Sequence, residues 1–162
     1  MGYFNVTKDY TIGNNKINQP EAQTIASIVQ CFYNLHLQVG KPWTPDRAIG
    51  IIVPFRGQIA QIRQELARLD IPQYESITID TVERYQGSQR DIILFSTVVS
   101  QPYQVSILSA PVVTDGSPID RKLNVAVTRA RNQFFLVGNL ALLSQAEDYR
   151  VLIDYMKAYN SD

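Results

Sequence analysis

The feature that most constrains this chain is a set of short runs that are apolar at odd and even positions alike: Ala48 to Val53, Ile92 to Val99 and Phe134 to Gly138. A strand of that kind has no side to offer water. It belongs in a parallel sheet covered by helices on both faces. Tyr3-Phe4-Asn5-Val6 and Ile77 to Val82 add two more strand candidates.

Helical patterns fall between these runs. Asn18 is placed to cap a helix whose first turn holds Pro20, with Glu21 three residues on as a capping box requires. Ile25, Ile28, Val29, Phe32 and Leu35 then recur at helical spacing, as do Ile59, Ile62, Leu66 and Leu69 within Phe55 to Leu69. Leu123 to Arg131, Leu140 to Leu143 and Tyr149 to Tyr159 also read as helical. Strand and helix thus alternate, which predicts an α/β protein, a three-layer α/β/α sandwich with a mainly parallel sheet. Its 162 residues are the size of one domain, so residues 1–162 are read as a single unit. Gln101 to Pro118, with three prolines and one glycine, reads as a long and mobile connection.

Composition narrows the chemistry. Fifteen basic and fifteen acidic residues cancel, so any polyanion site must be local rather than a global field. Cys31 is the only cysteine, which excludes an internal disulfide and a cysteine-based metal site within one chain; it is expected to be a small buried hydrophobe in a reducing, cytoplasmic protein. His36 sits on an amphipathic helix and is read as structural, and Trp43, between two prolines, as a surface plug. No apolar run approaches the roughly 20 residues a membrane span needs.

Nucleotide cradles are missing as well. The only Gly-Lys pair, Gly40-Lys41, runs into Pro42 and lacks the spacing of a phosphate-binding P-loop. No apolar strand ends in adjacent carboxylates that would hold magnesium, and no Rossmann glycine fingerprint occurs, which disfavours a small-molecule dinucleotide enzyme. No metal site is expected. Two blocks nevertheless put polar, phosphate-seeking residues at the ends of apolar elements, where open α/β sheets place their ligands: Ile79 to Asp91 and Arg121 to Arg131.

These blocks carry a resemblance. Arg121-x-x-Asn124-Val125-Ala126-x-Thr128-Arg129-Ala130-Arg131 is similar to the sixth motif of superfamily 1 helicases. Thr81-Val82-x-x-Tyr85-Gln86-Gly87-Ser88-Gln89-Arg90-Asp91 is similar to their fifth, and Val53 to Gln58 resembles the fourth. Together with Asn18-x-x-Glu21-Ala22, the likeness runs to about Ser144. The chain resembles the second, C-terminal RecA-like lobe of such helicases (an AAA-type helicase C-terminal domain), in the branch that includes the nonsense-mediated-decay helicases. That is a P-loop NTPase fold without its own P-loop, excised from a larger protein.

The resemblance implies the motor half of an ATP-dependent DNA or RNA helicase. ATP would sit between two lobes, with the P-loop and the Mg2+ ligands on a first RecA-like lobe. Arg129 would be the catalytic arginine finger, and Gln86, Gly87, Gln89 and Arg131 would join it in binding nucleotide. Arg131 is the weaker candidate, read also as a structural ion-pair partner. The family usually has Glu where this chain has Gln89, a position facing the ribose; Gln keeps an acceptor oxygen and loses the charge. A Gln-Tyr-Arg segment with a further phosphate-contacting arginine is expected just before residue 1. Single-stranded DNA or RNA would lie at the opposite edges, on Pro54, Arg56, Gln58, Thr81 and Arg84, held by hydroxyls and charges that do not read sequence. The isolated lobe is expected to be monomeric and inactive toward ATP. The competing expectation is a RecA-like lobe retained as a non-catalytic nucleic-acid- or protein-binding module.

Overall fold

The computed structural model describes residues 1–7, 16–85, 88–109, 111–114 and 117–160. Five strands form one sheet, all pairs parallel: β1 (Gly2–Asn5), β2 (Ile49–Val53), β3 (Thr78–Thr81), β4 (Arg90–Ser96) and β7 (Ala130–Gly138), in the order β1-β7-β4-β2-β3. A separate antiparallel pair joins β5 (Pro111–Thr114) to β6 (Ser117–Asp120).

Alternation along the central strands sorts the core into two layers. Ile52, Ile93, Phe95, Phe134 and Leu136 point to one face, where they meet α4 (Pro102–Leu108), α5 (Arg121–Thr128), α6 (Leu140–Leu143) and α7 (Glu147–Asn160) through Val105, Leu123, Ala126, Leu140 and Tyr149. Ile49, Ile51, Val53, Leu94 and Val137 point to the other, covered by α1 (Gln19–Val39) and α3 (Arg56–Ala67) through Ile25, Val29, Ile62 and Leu66. Helices therefore cover both faces, as the unbroken apolar runs require. Gly50 of β2 shows how tight the packing is, since a Cβ there would collide with the Tyr85 hydroxyl and the Ile93 side chain.

Local chemistry sets the helix ends. Asn18 Oδ1 accepts from the Glu21 N–H at 3.0 Å, Pro20 occupies the first turn, and Gly40 closes α1 in the left-handed conformation at φ 66°. The capping box is only half made, because the Glu21 carboxyl turns into the core and the Asn18 N–H goes to Gln58 Oε1 instead, at 2.9 Å. A four-residue helix, α2 (Pro45–Ala48), breaks the expected connector; Trp43 beside it packs on Tyr33 and His36 and donates its ring N–H to the Pro72 carbonyl.

Three readings are corrected. Gln101 to Pro118 is not an unstructured connection: α4 buries Val105 and Leu108 in the core, and the β5–β6 pair follows. The helix expected to reach Arg131 stops at Thr128, and Ala130 opens β7, because the Arg129 carbonyl accepts from the Arg90 N–H at 3.0 Å and ties the segment to β4. Leu35 and Cys31 are both exposed: the fully buried positions of α1 end at Val29, and beyond it Phe32 and Tyr33 keep only partial cover against the core. No described helix is long and apolar enough to cross a membrane.

Candidate functional site

Because every strand of the main sheet runs the same way, the sheet has an amino edge and a carboxyl edge, and the candidate residues divide between them. Gln89, Arg129 and Arg131 lie at the amino ends of β4 and β7. Pro54, Arg56, Thr81 and Arg84 lie at or just past the carboxyl ends of β2 and β3. The nucleotide candidates and the strand candidates therefore sit at opposite edges of one sheet. Gln86 and Gly87 lie outside the described residues.

At the amino edge, Arg129 alone joins α5 to β7. Its N–H still donates to the Val125 and Ala126 carbonyls, at 3.2 and 3.3 Å, while its own carbonyl already belongs to the strand ladder. The main chain is thus held from both sides. The side chain is half-buried, and its Nε is fully buried with no hydrogen-bond partner among the described residues. A buried guanidinium N–H left without an acceptor calls for an explanation, of which an anionic ligand is one. Arg131 is different: exposed, it stands 3.9 Å from Asp91 Oδ1, an ion pair too open to water to contribute much. Gln89 is exposed and donates its amide to the Thr128 carbonyl at 3.4 Å, a long bond that leaves its oxygen as an acceptor.

Sequence reasoning passed over three residues here. Arg90 donates to the Gln89 carbonyl at 2.9 Å and to Thr78 Oγ1 at 3.1 Å, bracing β4 against β3 across the sheet edge. Asp46 and Arg47 of α2 join Gln89, Arg90 and Arg131 around a polar cleft of about 440 Å³. The only available signal for Arg90 was its place next to Gln89 in the fifth-motif stretch; α2 gave none, since it reads as a turn.

At the carboxyl edge, Arg56 and Arg84 are exposed, Pro54 is half-buried and Thr81 is 8% exposed. Gln58 does not reach solvent, which corrects its reading as a nucleic-acid contact. It is fully buried, accepts from the Asn18 N–H, and donates to the Asn18 carbonyl at 2.9 Å and to Ser96 Oγ at 3.1 Å. Gln58 therefore clasps α1, α3 and β4 together beneath the edge.

Beside this clasp lies a buried carboxyl that the sequence did not single out as ionisable chemistry. Glu21 Oε1 accepts from the Thr97 N–H and hydroxyl, both at 3.1 Å, while Oε2 has no partner among the described residues. Burial without a cation pushes its pKa up to about 8, against the lowering effect of the Thr97 and Val98 hydrogen bonds. The next residue, Val98, is fully buried at φ 61°, a left-handed conformation that costs a β-branched residue on the order of 1 to 3 kcal/mol. Glu21 and core packing hold that turn. Among the described residues no group of three His, Cys, Asp or Glu side chains is arranged to hold a metal ion.

The five-stranded parallel sheet with helices on both faces defines a RecA-like α/β three-layer lobe, one without a P-loop of its own. The sequence profile of the family described as "AAA domain" matches residues 4–141, and the chain belongs to that family. It is 35% identical to "Regulator of nonsense transcripts 1" of Dictyostelium discoideum over 167 residues, covering 99% of this chain and 11% of that protein. It is 31% identical to "Regulator of nonsense transcripts 1 homolog" of Drosophila melanogaster, covering 90% of this chain and 11% of that one. Likeness to "Putative helicase MOV-10" of Gallus gallus is 29%, over 86% of this chain and 15% of the relative. The chain is a helicase-family domain that spans only about a tenth to a seventh of the length of these relatives.

Proposed function

We propose that this lobe is the second half of an ATP-driven helicase motor, supplying the arginine finger and part of a single-strand track. The observation that carries the reading is Arg129, whose main chain is fixed at a helix-to-strand junction while its guanidinium keeps a buried N–H without a partner among the described residues. A guanidinium is permanently charged and planar, so it can chelate two equatorial oxygens of a phosphoryl group in flight. Pinning its main chain on both sides means little reorganisation at the moment of reaction. Gln89 would accept a ribose hydroxyl, in weaker form than a carboxylate would.

The carboxyl edge suits the other substrate. Arg56 and Arg84 are exposed cations there, and Thr81 ends β3 at the same edge, a set that would grip phosphates without reading bases. The amino-edge candidates sit on β4 and β7 and the carboxyl-edge ones on β2 and β3, and β2 pairs with β4 in the same sheet, so nucleotide-driven displacement at one edge would be felt at the other. ATP fits the amino edge through the unpartnered guanidinium N–H. Mg2+ has no fitting carboxylate set here, and its ligands are proposed to lie on the first RecA-like lobe. The test compares ATP hydrolysis by the full-length protein, with and without single-stranded RNA or DNA, with hydrolysis by this 162-residue chain alone. Strand-stimulated turnover by the former and none by the latter is expected; a full-length protein with no turnover would favour the binding-module reading.

A further inference from the structure

Arg47 has no part in the motifs, yet its position is built. Its N–H and that of Ala48 both donate to the Thr44 carbonyl, at 3.1 and 3.0 Å, and Pro45 and Ala48 on either side are buried. The guanidinium is exposed and makes no hydrogen bond or ion pair among the described residues. It opens onto the cleft shared with Asp46, Gln89, Arg90 and Arg131. Arg90 gives its two terminal nitrogens to Gln89 and Thr78 while its buried Nε has no partner among the described residues, and Arg131 has only its open 3.9 Å pair with Asp91, so Arg47 and Arg131 have the terminal nitrogens freest to close on a ligand. Three arginines against Asp46, with Asp91 paired to Arg131, leave a local excess of positive charge, and one of the three, Arg90, donates its main-chain N–H to the Arg129 carbonyl. Cationic donors for oxyanions stand there with acceptor oxygens on Gln89 and Asp46 for hydroxyls, which together match a nucleoside polyphosphate.

We propose that Arg47 is a further nucleotide-binding residue, contacting phosphate oxygens from the α2 side of the cleft. This rests on the nucleotide reading of the amino edge given above. In the full-length protein, Arg47→Ala is expected to raise the KM for ATP and the inhibition constant for ADP by about tenfold, the size of one lost charge-assisted hydrogen bond. Turnover at saturating ATP, melting temperature and nucleotide-free single-strand affinity should stay at wild-type values. Arg47→Lys should recover part of the loss, and Arg150→Ala, an exposed arginine on α7, should change none of these. An unchanged KM in Arg47→Ala, in a protein that Arg129→Ala inactivates, overturns the inference and leaves the nucleotide reading standing. Weakened strand binding with unchanged KM assigns the phosphate to nucleic acid and also overturns it. If Arg129→Ala keeps full turnover, the reading beneath the inference falls, and the inference with it.

Discussion

Glu21→Gln tests whether a buried acid sets the pH response of this fold. In the folded chain Glu21 keeps its proton up to about pH 8, whereas the ordinary value is 4.5. Between those limits the folded state binds one more proton than the unfolded state, so stability contributed by this group is full below pH 4.5 and falls as pH rises toward 8. At about 1.4 kcal/mol per pH unit, the whole window amounts to on the order of 5 kcal/mol as an upper limit. Gln has no proton to lose and keeps an acceptor oxygen for the Thr97 N–H and hydroxyl. Urea denaturation of both chains from pH 5 to pH 9 should show the variant gaining on wild type up to about pH 8, with no further change above it. Parallel stability curves across that range would refute the buried, uncharged state of Glu21.

Leu123→Ala should cost about 2 to 5 kcal/mol in urea or thermal unfolding, because Leu123 is buried against the β4–β7 face. Gln58→Ala leaves the buried Asn18 N–H and the Ser96 hydroxyl without the Gln58 amide, while the Asn18 carbonyl keeps the Ala22 N–H, and should cost about 2 to 4 kcal/mol in the same assay; the exposed Arg56→Ala should stay within about 0.5 kcal/mol of wild type.

The layered fold was legible because it depends on short-range patterns. Runs such as Ile49 to Val53 are apolar on both faces, and Asn18 with Pro20 marks a helix start whatever lies across the sheet. What escaped was decided by distant partners. Ala130 and Arg131 are locally compatible with a helix, and it is pairing with β4, beginning with the Arg90 N–H to the Arg129 carbonyl, that makes them strand. Gln58 looks like a polar residue of an exposed turn until Asn18 and Ser96 close over it. Glu21 reads as a helix-start residue, and its burial follows from Thr97, 76 residues away. The motif residues were found by resemblance, but the grouping of Asp46 and Arg47 with Gln89 exists only once α2 has folded against β4.

The central claim is that Arg129 stabilises the transferring phosphoryl group, and its most direct test is strand-stimulated ATP turnover by full-length Arg129→Ala beside Arg131→Ala. The side chain of Arg129 makes no hydrogen bond among the described residues, so its loss should leave the melting temperature nearly unchanged. Turnover should fall by about a thousandfold or more with ATP binding only modestly weakened, as for a lost arginine finger. Arg131→Ala, which loses only an exposed 3.9 Å ion pair, should retain turnover within about tenfold. Wild-type turnover in a folded, full-length Arg129→Ala protein would contradict the account.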